Sequence, residues 1–284
     1  MAQDITLTAA MRSNLVSLQN TEVLLSRTQE RLATGKKVNS ALDNPINYFA
    51  ASAHMQRASD LGARKDGMGE AIQAIKATNN GIQGIKTLLE SARGLVEAAR
   101  SESGNRANTE NQFNTVMAQI RKLAADSDYK GTNFIVSGAS GSASGTATTL
   151  DVLFNEDGSN KLTLTGFDGR NSALGTAGSR LTTGAGTGFS QASVLNAVAG
   201  AITSAISELQ TEASKLASNL AIVNARLDFT NQMINTLKEG ADKLTLADTN
   251  EEGANMLALQ TRQQLGVTSL SLASQAAQSV LRLF

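Results

Sequence analysis

His54 is the single histidine of the chain and cysteine is absent, which limits the side-chain chemistry on offer. A Ser/His/Asp relay needs a base held between a nucleophile and a carboxylate. No local sequence around His54 supplies that arrangement, and a helix-surface or interface histidine is the reading its neighbours favour. No His/Cys cluster has metal-ligand spacing, and no His-Glu-x-x-His element occurs. The run Gly184-Ala185-Gly186-Thr187-Gly188 superficially resembles a phosphate-cradling loop. It lacks the following Lys-Ser/Thr and the preceding strand that the chemistry needs, so it reads as a surface loop. Glu251 and Glu252 stand where a last helix begins, and attraction to the helix dipole is sufficient to account for them. The residues therefore assign no catalytic group, no cofactor and no metal.

Composition points elsewhere. The chain has 284 residues with 4% aromatics, no Trp and two Tyr, too few rings for a large globular core and better suited to elongated helices. Lys+Arg and Asp+Glu balance at 25 each. No net field steers the chain onto nucleic acid or an anionic membrane, and near-zero charge favours self-association. The lack of cysteine excludes disulfides and thiolate metal sites. No apolar run reaches the roughly 18 residues of a membrane span. The N-terminal MAQDITLTAAMRSN has neither the basic start nor the apolar core of a signal peptide, so export is expected by another route.

The two ends carry apolar residues at alternating three- and four-residue steps. Met11, Leu15, Leu18, Leu25 and Leu32 mark one seam in the stretch from Thr6 to Leu32. Met256, Leu259, Leu270, Ala273, Ala277, Val280 and Phe284 mark the other. Such a stripe stays on one face only if the helix supercoils with a partner. The first helix is predicted to end at Gly35, a left-handed cap with Lys36 and Lys37 near the carbonyl end of the dipole. Asn44 as N-cap and Pro45, the only proline, start the next helix.

That second helix is predicted from Pro45 to about Arg100, roughly 80 Å long. Leu61, Met68, Ile75, Ile82, Leu89 and Val96 recur at heptad intervals, with Ala71, Ile85, Ala92 and Ala99 completing the stripe. Its glycines require partner packing, and a local break is open near Gly67. Ser101 to Asn108 reads as a turn, and Glu110 to Asp126 as a helix folded back on its predecessor. The Gly/Ser/Thr-rich stretch from about Asp128 to Phe189 holds one β-hairpin signal: Leu150, Val152 and Phe154, then a turn run from Asn155 to Asn160, then Leu162 and Leu164. Past Ser190 a second heptad rod follows. Leu195, Ile202, Leu209, Leu216, Val223 and Leu237 form one series, interrupted at Thr230, with Ile206, Ala213, Leu220, Leu227 and Ile234 as its companion. Gly240 and Asp248-Thr249-Asn250 are expected to separate that rod from the last helix.

Three segments carry a family resemblance. RLATGKKVNSALDNP, Arg31 to Pro45, resembles the N-terminal signature of bacterial flagellins, and QTRQQLGVTSLSLASQAAQSVLRLF, Gln260 to Phe284, resembles their C-terminal one. Tyr129-Lys130-Gly131-Thr132-Asn133-Phe134 is similar to the flagellin segment that leads into the variable middle. The resemblance implies a mainly α fold of nested antiparallel coiled coils with a small β-hairpin region. Its expected divisions are residues 1–40 with 242–284 as an inner coiled-coil domain, 41–134 with 190–241 as a rod, and 135–189 as hairpin and loops without a sizeable outer domain. Thr34 to Asp43 and Gly240 to Asn250 map onto the two connecting spokes.

The resemblance further implies a structural subunit of the flagellar filament, self-assembling into a helical homopolymer, secreted through the flagellar type III apparatus with an export chaperone. Hook-associated junction proteins and cap proteins are its expected partners, with no nucleic acid, membrane or cofactor. Subunit contacts are expected at Leu15, Leu18, Leu25, Arg31, Leu32, Asp43, Leu270, Ala277, Val280 and Phe284. Two readings stay open for Arg31 and Asp43: local capping and solvation, or ion pairing between subunits. Flagellins detected by Toll-like receptor 5 carry a Gln-Arg pair in the segment aligning with Ile85 to Val96. Here Glu90-Ser91 stands in its place, although Arg93 and Leu95 match, which implies weak or no receptor activation. The alternatives are a hook-filament junction protein and, from another class, a flagellin-like enzyme, for which the short middle leaves no room. Ser137 to Thr149 is the segment in which O-linked sugar, a common modification of the family, would be sought.

Overall fold

The computed structural model describes residues 9–136, 148–170, 188–189 and 191–281, excepting the side chains of residues 10, 277, 280 and 281. The elements in order are α1 (Ala9–Thr34), α2 (Pro45–Ser101), a 3-10 turn (Ser103–Asn105), α3 (Arg106–Asp126), β1 (Thr149–Leu153), β2 (Lys161–Thr165), α4 (Ala192–Thr245) and α5 (Thr249–Leu281). The fold is mainly α with a small hairpin, as the periodicity predicts. Two compact units divide the chain, Met1–Ala58 with Asn235–Phe284 and Ser59–Ile234.

In the larger unit the heptad stripe of α2 is the core. Met68, Ile75, Ile82, Leu89 and Val96 are buried with Ala71, Ile85, Ala92 and Ala99. Thr78 fills the gap in the companion series, buried with its hydroxyl donating to the Ala74 carbonyl at 2.8 Å. Such a bond lets a polar residue occupy an apolar register without an unsatisfied group. On α4, Leu195, Ile202, Leu209, Leu216 and Val223 are buried, while Ile206, Ala213, Leu220 and Leu227 pack along the flank, half-buried. The two helices run antiparallel: Arg100 bonds Asn196, and Ile75 and Asn79 share a hollow with Leu216 and Leu220. By length and composition α4 is apolar enough to cross a membrane, but its Leu/Ile/Val stripe lies in this core.

Helix α3 begins one turn earlier than the sequence predicts, at Arg106. The missed turn is headed by Thr109, a buried polar residue in register with Phe113, Met117, Ile120 and Ala124, so the apolar count starts late. The expected antiparallel return on α2 is observed: Arg106 Nε donates to the Ala99 carbonyl, Gly84 meets Leu123 and Gly81 meets Ser127. Gly81 permits this approach, since a Cβ there would lie 2.3 Å from Ser127 Oγ and 2.6 Å from Ile135 Cδ1. At Gly67 no break occurs and α2 continues.

After α3 the chain reverses in a tight turn. Lys130 (φ 51°) and Gly131 (φ 80°) adopt left-handed backbone while Tyr129 and Thr132 exchange backbone hydrogen bonds at 3.0 Å. Asn133 pins the exit, its Nδ2 donating to Ala124 and Ala125 carbonyls and its Oδ1 accepting from the Ile135 and Val136 amides. Strands β1 and β2 pair antiparallel with Leu150 opposite Leu164 and Val152 opposite Leu162, the face the sequence alternation marks. The Asn155–Asn160 run makes the turn, with Gly158 at φ 72° and Asn155 Oδ1 accepting from the Asn160 amide. Phe154 then lies under the Arg226 guanidinium, 5.3 Å from ring centroid to charge, a cation–π contact. Phe189 packs its ring at a tilt of 57° against Phe113, 5.3 Å between centroids, and donates its amide to Glu110.

In the smaller unit α4 continues through Gly240 to Thr245, which corrects the expected break at Gly240. That glycine is helical and sits beside the His54 ring, whose Cδ2 would lie 3.9 Å from an added Cβ. That distance is an ordinary van der Waals contact, so Gly240 neither ends the helix nor is required by the packing around it. The chain breaks instead at Leu246–Asp248, and Asp248 caps α5 through the Asn250 and Glu251 amides.

Candidate subunit interface

The terminal helices α1 and α5 pack antiparallel in the smaller unit, with Leu18 against Gly266 and Arg31 against Glu252. Inward positions on α1 are Met11, Asn14, Leu18, Thr21, Leu25, Thr28 and Leu32, a strict three-four alternation. On α5 they are Glu252, Met256, Leu259, Gln263, Gly266, Leu270 and Ala273. The structure thus brings together Leu18, Leu25, Leu32 and Leu270 along the predicted seam. It also shows why an apolar reading found only part of it: Asn14, Thr21, Thr28 and Gln263 hold register positions without being apolar. Thr21 satisfies its hydroxyl on the Ser17 carbonyl at 2.8 Å. Leu15 lies off the seam and exposed, because Asn14 takes the inward position. The side chains of Ala277 and Val280, and all of Phe284, lie outside the described residues.

Arg31 ends on α5 of its own chain. Its Nη1 meets Glu252 Oε1 at 2.8 Å, and the Glu252 side chain is only 9% exposed. The helix dipole is therefore not the whole account of Glu252. Asp43 acts locally: one carboxylate oxygen accepts the Ser40 and Asn39 amides and the Ser40 hydroxyl. The Ser40 amide, then that of Asn39, holds the carboxyl below its ordinary range. Asn44 caps α2 through the Asn47 amide at 3.1 Å, as the Asn-Pro pair predicts.

The two connections out of the terminal helices are zipped together. Gly35 turns the chain at φ 68°, Lys37 and Val38 amides donate to the Thr245 carbonyl, and the Ala247 amide donates to the Gly35 carbonyl. Val38 is buried in this junction. No local sequence signal announces the pairing, because its partners are some 200 residues apart in register and are joined by backbone.

Large apolar side chains are exposed on the outer faces of the same helices: Leu15, Val16, Val23 and Leu24 on α1, and Leu257, Leu265, Val267 and Leu272 on α5. His54 is half-buried beside Gly240. Among the described residues no group of three potential metal ligands occurs. The Glu90-Ser91 and Arg93 positions are exposed on α2.

Comparison with known proteins gives this surface its context. Residues 5–140 match the model of the bacterial flagellin N-terminal helical region, and residues 199–284 match that of the C-terminal helical region. Flagellin FljM of Caulobacter vibrioides is 30% identical over 95% of this chain and 95% of its own length. A flagellin of Brucella melitensis is 27% identical over 100% of this chain and 99% of its own. A crystal structure of Bacillus cereus flagellin superposes with a TM-score of 0.47 at 14% identity, over 58% of this chain and 88% of that one, too loose a likeness to carry an argument. With both helical regions matched in order around the short middle, the chain belongs to the bacterial flagellin family.

Proposed function

We propose that this flagellin polymerises through its terminal unit, the α1–α5 pair acting as the contact between neighbouring subunits. The chain is a structural subunit of the bacterial flagellar filament, as its family membership establishes. The observation that supports the finer reading is the concentration of exposed Leu and Val on the outer faces of α1 and α5. A seam built partly of Asn, Thr, Gln and Gly buries little apolar surface between the two helices. Ordering each residue opposes folding by roughly 1 to 2 kcal/mol, so in the free chain the pair is expected to be unfolded. Neighbouring subunits covering Val16, Val23, Leu265 and Leu272 offset that entropy, which couples folding to assembly.

On this reading residues 1–40 with 242–284 are the inner domain, 41–134 with 190–241 the rod, and 135–189 a hairpin region. Leu15, Leu18, Leu25, Leu32, Leu270, Ala277, Val280 and Phe284 belong to the polymer core. Export by the flagellar type III apparatus with a chaperone, placement outside the cell between junction and cap proteins, and weak Toll-like receptor 5 activation follow from the flagellin signatures quoted above. The match to flagellins along 95% of the chain favours a filament subunit over a hook-filament junction protein. Circular dichroism tests the coupling: helix content rises on polymerisation, and equal helicity in monomer and polymer would refute it. Deleting residues 1–40 or 250–284 abolishes filaments while the rod stays folded.

A further inference from the structure

Small residues along one face of α2 leave a cavity in the larger unit. Ala63, Gly67, Ala71 and Ala74 recur at three- and four-residue steps and so share that face. A Cβ built on Gly67 meets open space. Across from it stand the Tyr129–Thr132 turn and β1, whose Leu150 and Leu153 supply an apolar wall. The cavity measures about 350 Å³, within the roughly 300 to 1,000 Å³ of small-ligand sites. Every residue that lines it belongs to the same compact unit, Ser59–Ile234.

Pairing off the charges around the cavity leaves one cation over. Glu70 meets Lys130 at 2.9 Å, and Asp151 meets Lys161 at 2.6 Å. Arg64, the remaining charged residue of the lining, has no ion-pair partner among the described residues, and its Nη2 donates only to the neutral Glu156 carbonyl at 3.2 Å. Its Nε is shielded from solvent and has no acceptor, the one buried side-chain polar atom in that position among the described residues. A buried donor without an acceptor opposes folding, most of all on a charged group. The acceptor that fits a guanidinium is a carboxylate.

We propose that this cavity binds a small amphiphilic carboxylate, a medium-chain fatty acid, with its hydrocarbon chain along Gly67 and Leu153 and its carboxylate on Arg64. One unpaired cation matches one negative charge, and apolar walls match a hydrocarbon body. An inorganic anion would leave those walls wet. The site lies within a single unit of one chain, so it stands or falls separately from the filament reading.

The test titrates sodium octanoate, below the concentration at which it forms micelles, into the full-length monomer and follows the Arg64 Nε–H resonance by NMR. That resonance is identified by its loss in Arg64→Gln, and it is expected to shift saturably. In calorimetry Arg64→Gln binds octanoate at least about tenfold more weakly than wild type, the charge-assisted contact being gone. Gly67→Leu, which puts a side chain into the open space, abolishes binding. Sodium acetate lacks the hydrocarbon body and octanol lacks the charge, and each is expected to bind at least about tenfold more weakly than octanoate. Helix content and unfolding temperature without octanoate show whether the variants fold; where one does not, the wild-type resonance and the two control ligands decide. No saturable shift, equal affinity for acetate or octanol, or undiminished affinity in a folded variant overturns the proposal. A resonance that moves on polymerisation and not with octanoate assigns the acceptor to a neighbouring copy, which overturns it too.

Discussion

Arg31 and Glu252 meet at 2.8 Å, joining the last turns of α1 to the first turn of α5. Glu252 is nearly buried and Arg31 about a third exposed, so removing the cation strands a carboxylate that water cannot fully reach. In assembled filaments Arg31→Met is expected to destabilise the terminal pair by about 1 to 2 kcal/mol, below the figure for a fully buried pair. The melting temperature of the polymer falls accordingly. The swap Arg31→Glu/Glu252→Arg recovers part of the loss, and no recovery would show that Arg31 answers to a different acid.

Glycines on α2 divide by what lies opposite them. Gly81→Ala drives a methyl into Ser127 and Ile135 and is expected to lower rod stability by about 2 kcal/mol. Gly94 has nothing within 4 Å of an added Cβ, so Gly94→Ala raises it by up to about 1 kcal/mol through helix propensity. Thermal unfolding of the two variants should move in opposite directions.

These two positions also show what the sequence makes legible. The heptads of α2 and α4, the Gly35 and Asn44-Pro45 signals and the hairpin strands are local patterns, and each is visible because period and cap chemistry are local. Gly81 and Gly94 look alike in sequence, since only a neighbour distant along the chain distinguishes them. The same limit applies to the candidate site. Leu18, Leu25 and Leu270 announce themselves as apolar, whereas Asn14, Thr21 and Gln263 occupy equivalent register as polar residues, Thr21 with its hydroxyl satisfied on the Ser17 carbonyl. Glu252 looks like a dipole partner until Arg31 is brought beside it.

Asn133 holds the reversal after α3 through four hydrogen bonds to backbone. Asn133→Ala leaves these backbone groups, part-buried except at Ala125, without their side-chain partner and is expected to cost about 1 to 2 kcal/mol. Faster hydrogen exchange at Ile135 and Val136 amides would register it, and unchanged protection there would contradict the role.

Acid should loosen the contact of α2 with this same turn. The Lys130 ammonium, then the Tyr129 hydroxyl, hold Glu70 below its ordinary carboxylate range. A depressed carboxyl stabilises the fold above its unfolded value of about 4.3 and loses that contribution as the pH falls through its folded value. Glu70 likewise raises Lys130, a contribution present below the unfolded value of about 10.4 and lost as the pH climbs above it. Glu70→Gln should therefore fall short of wild type in unfolding temperature near neutrality and draw level with it only as the pH drops below the depressed folded value of Glu70.

Zipping Gly35 to Ala247 and Lys37 to Thr245 has a mechanical consequence. Tension on either terminal helix passes through a shared node before it reaches the helix beyond, because the two connections are bonded main chain to main chain. Neither can pay out slack alone. The junction behaves as one knuckle with two tendons, and a swivel of α1 obliges α5 to turn with it.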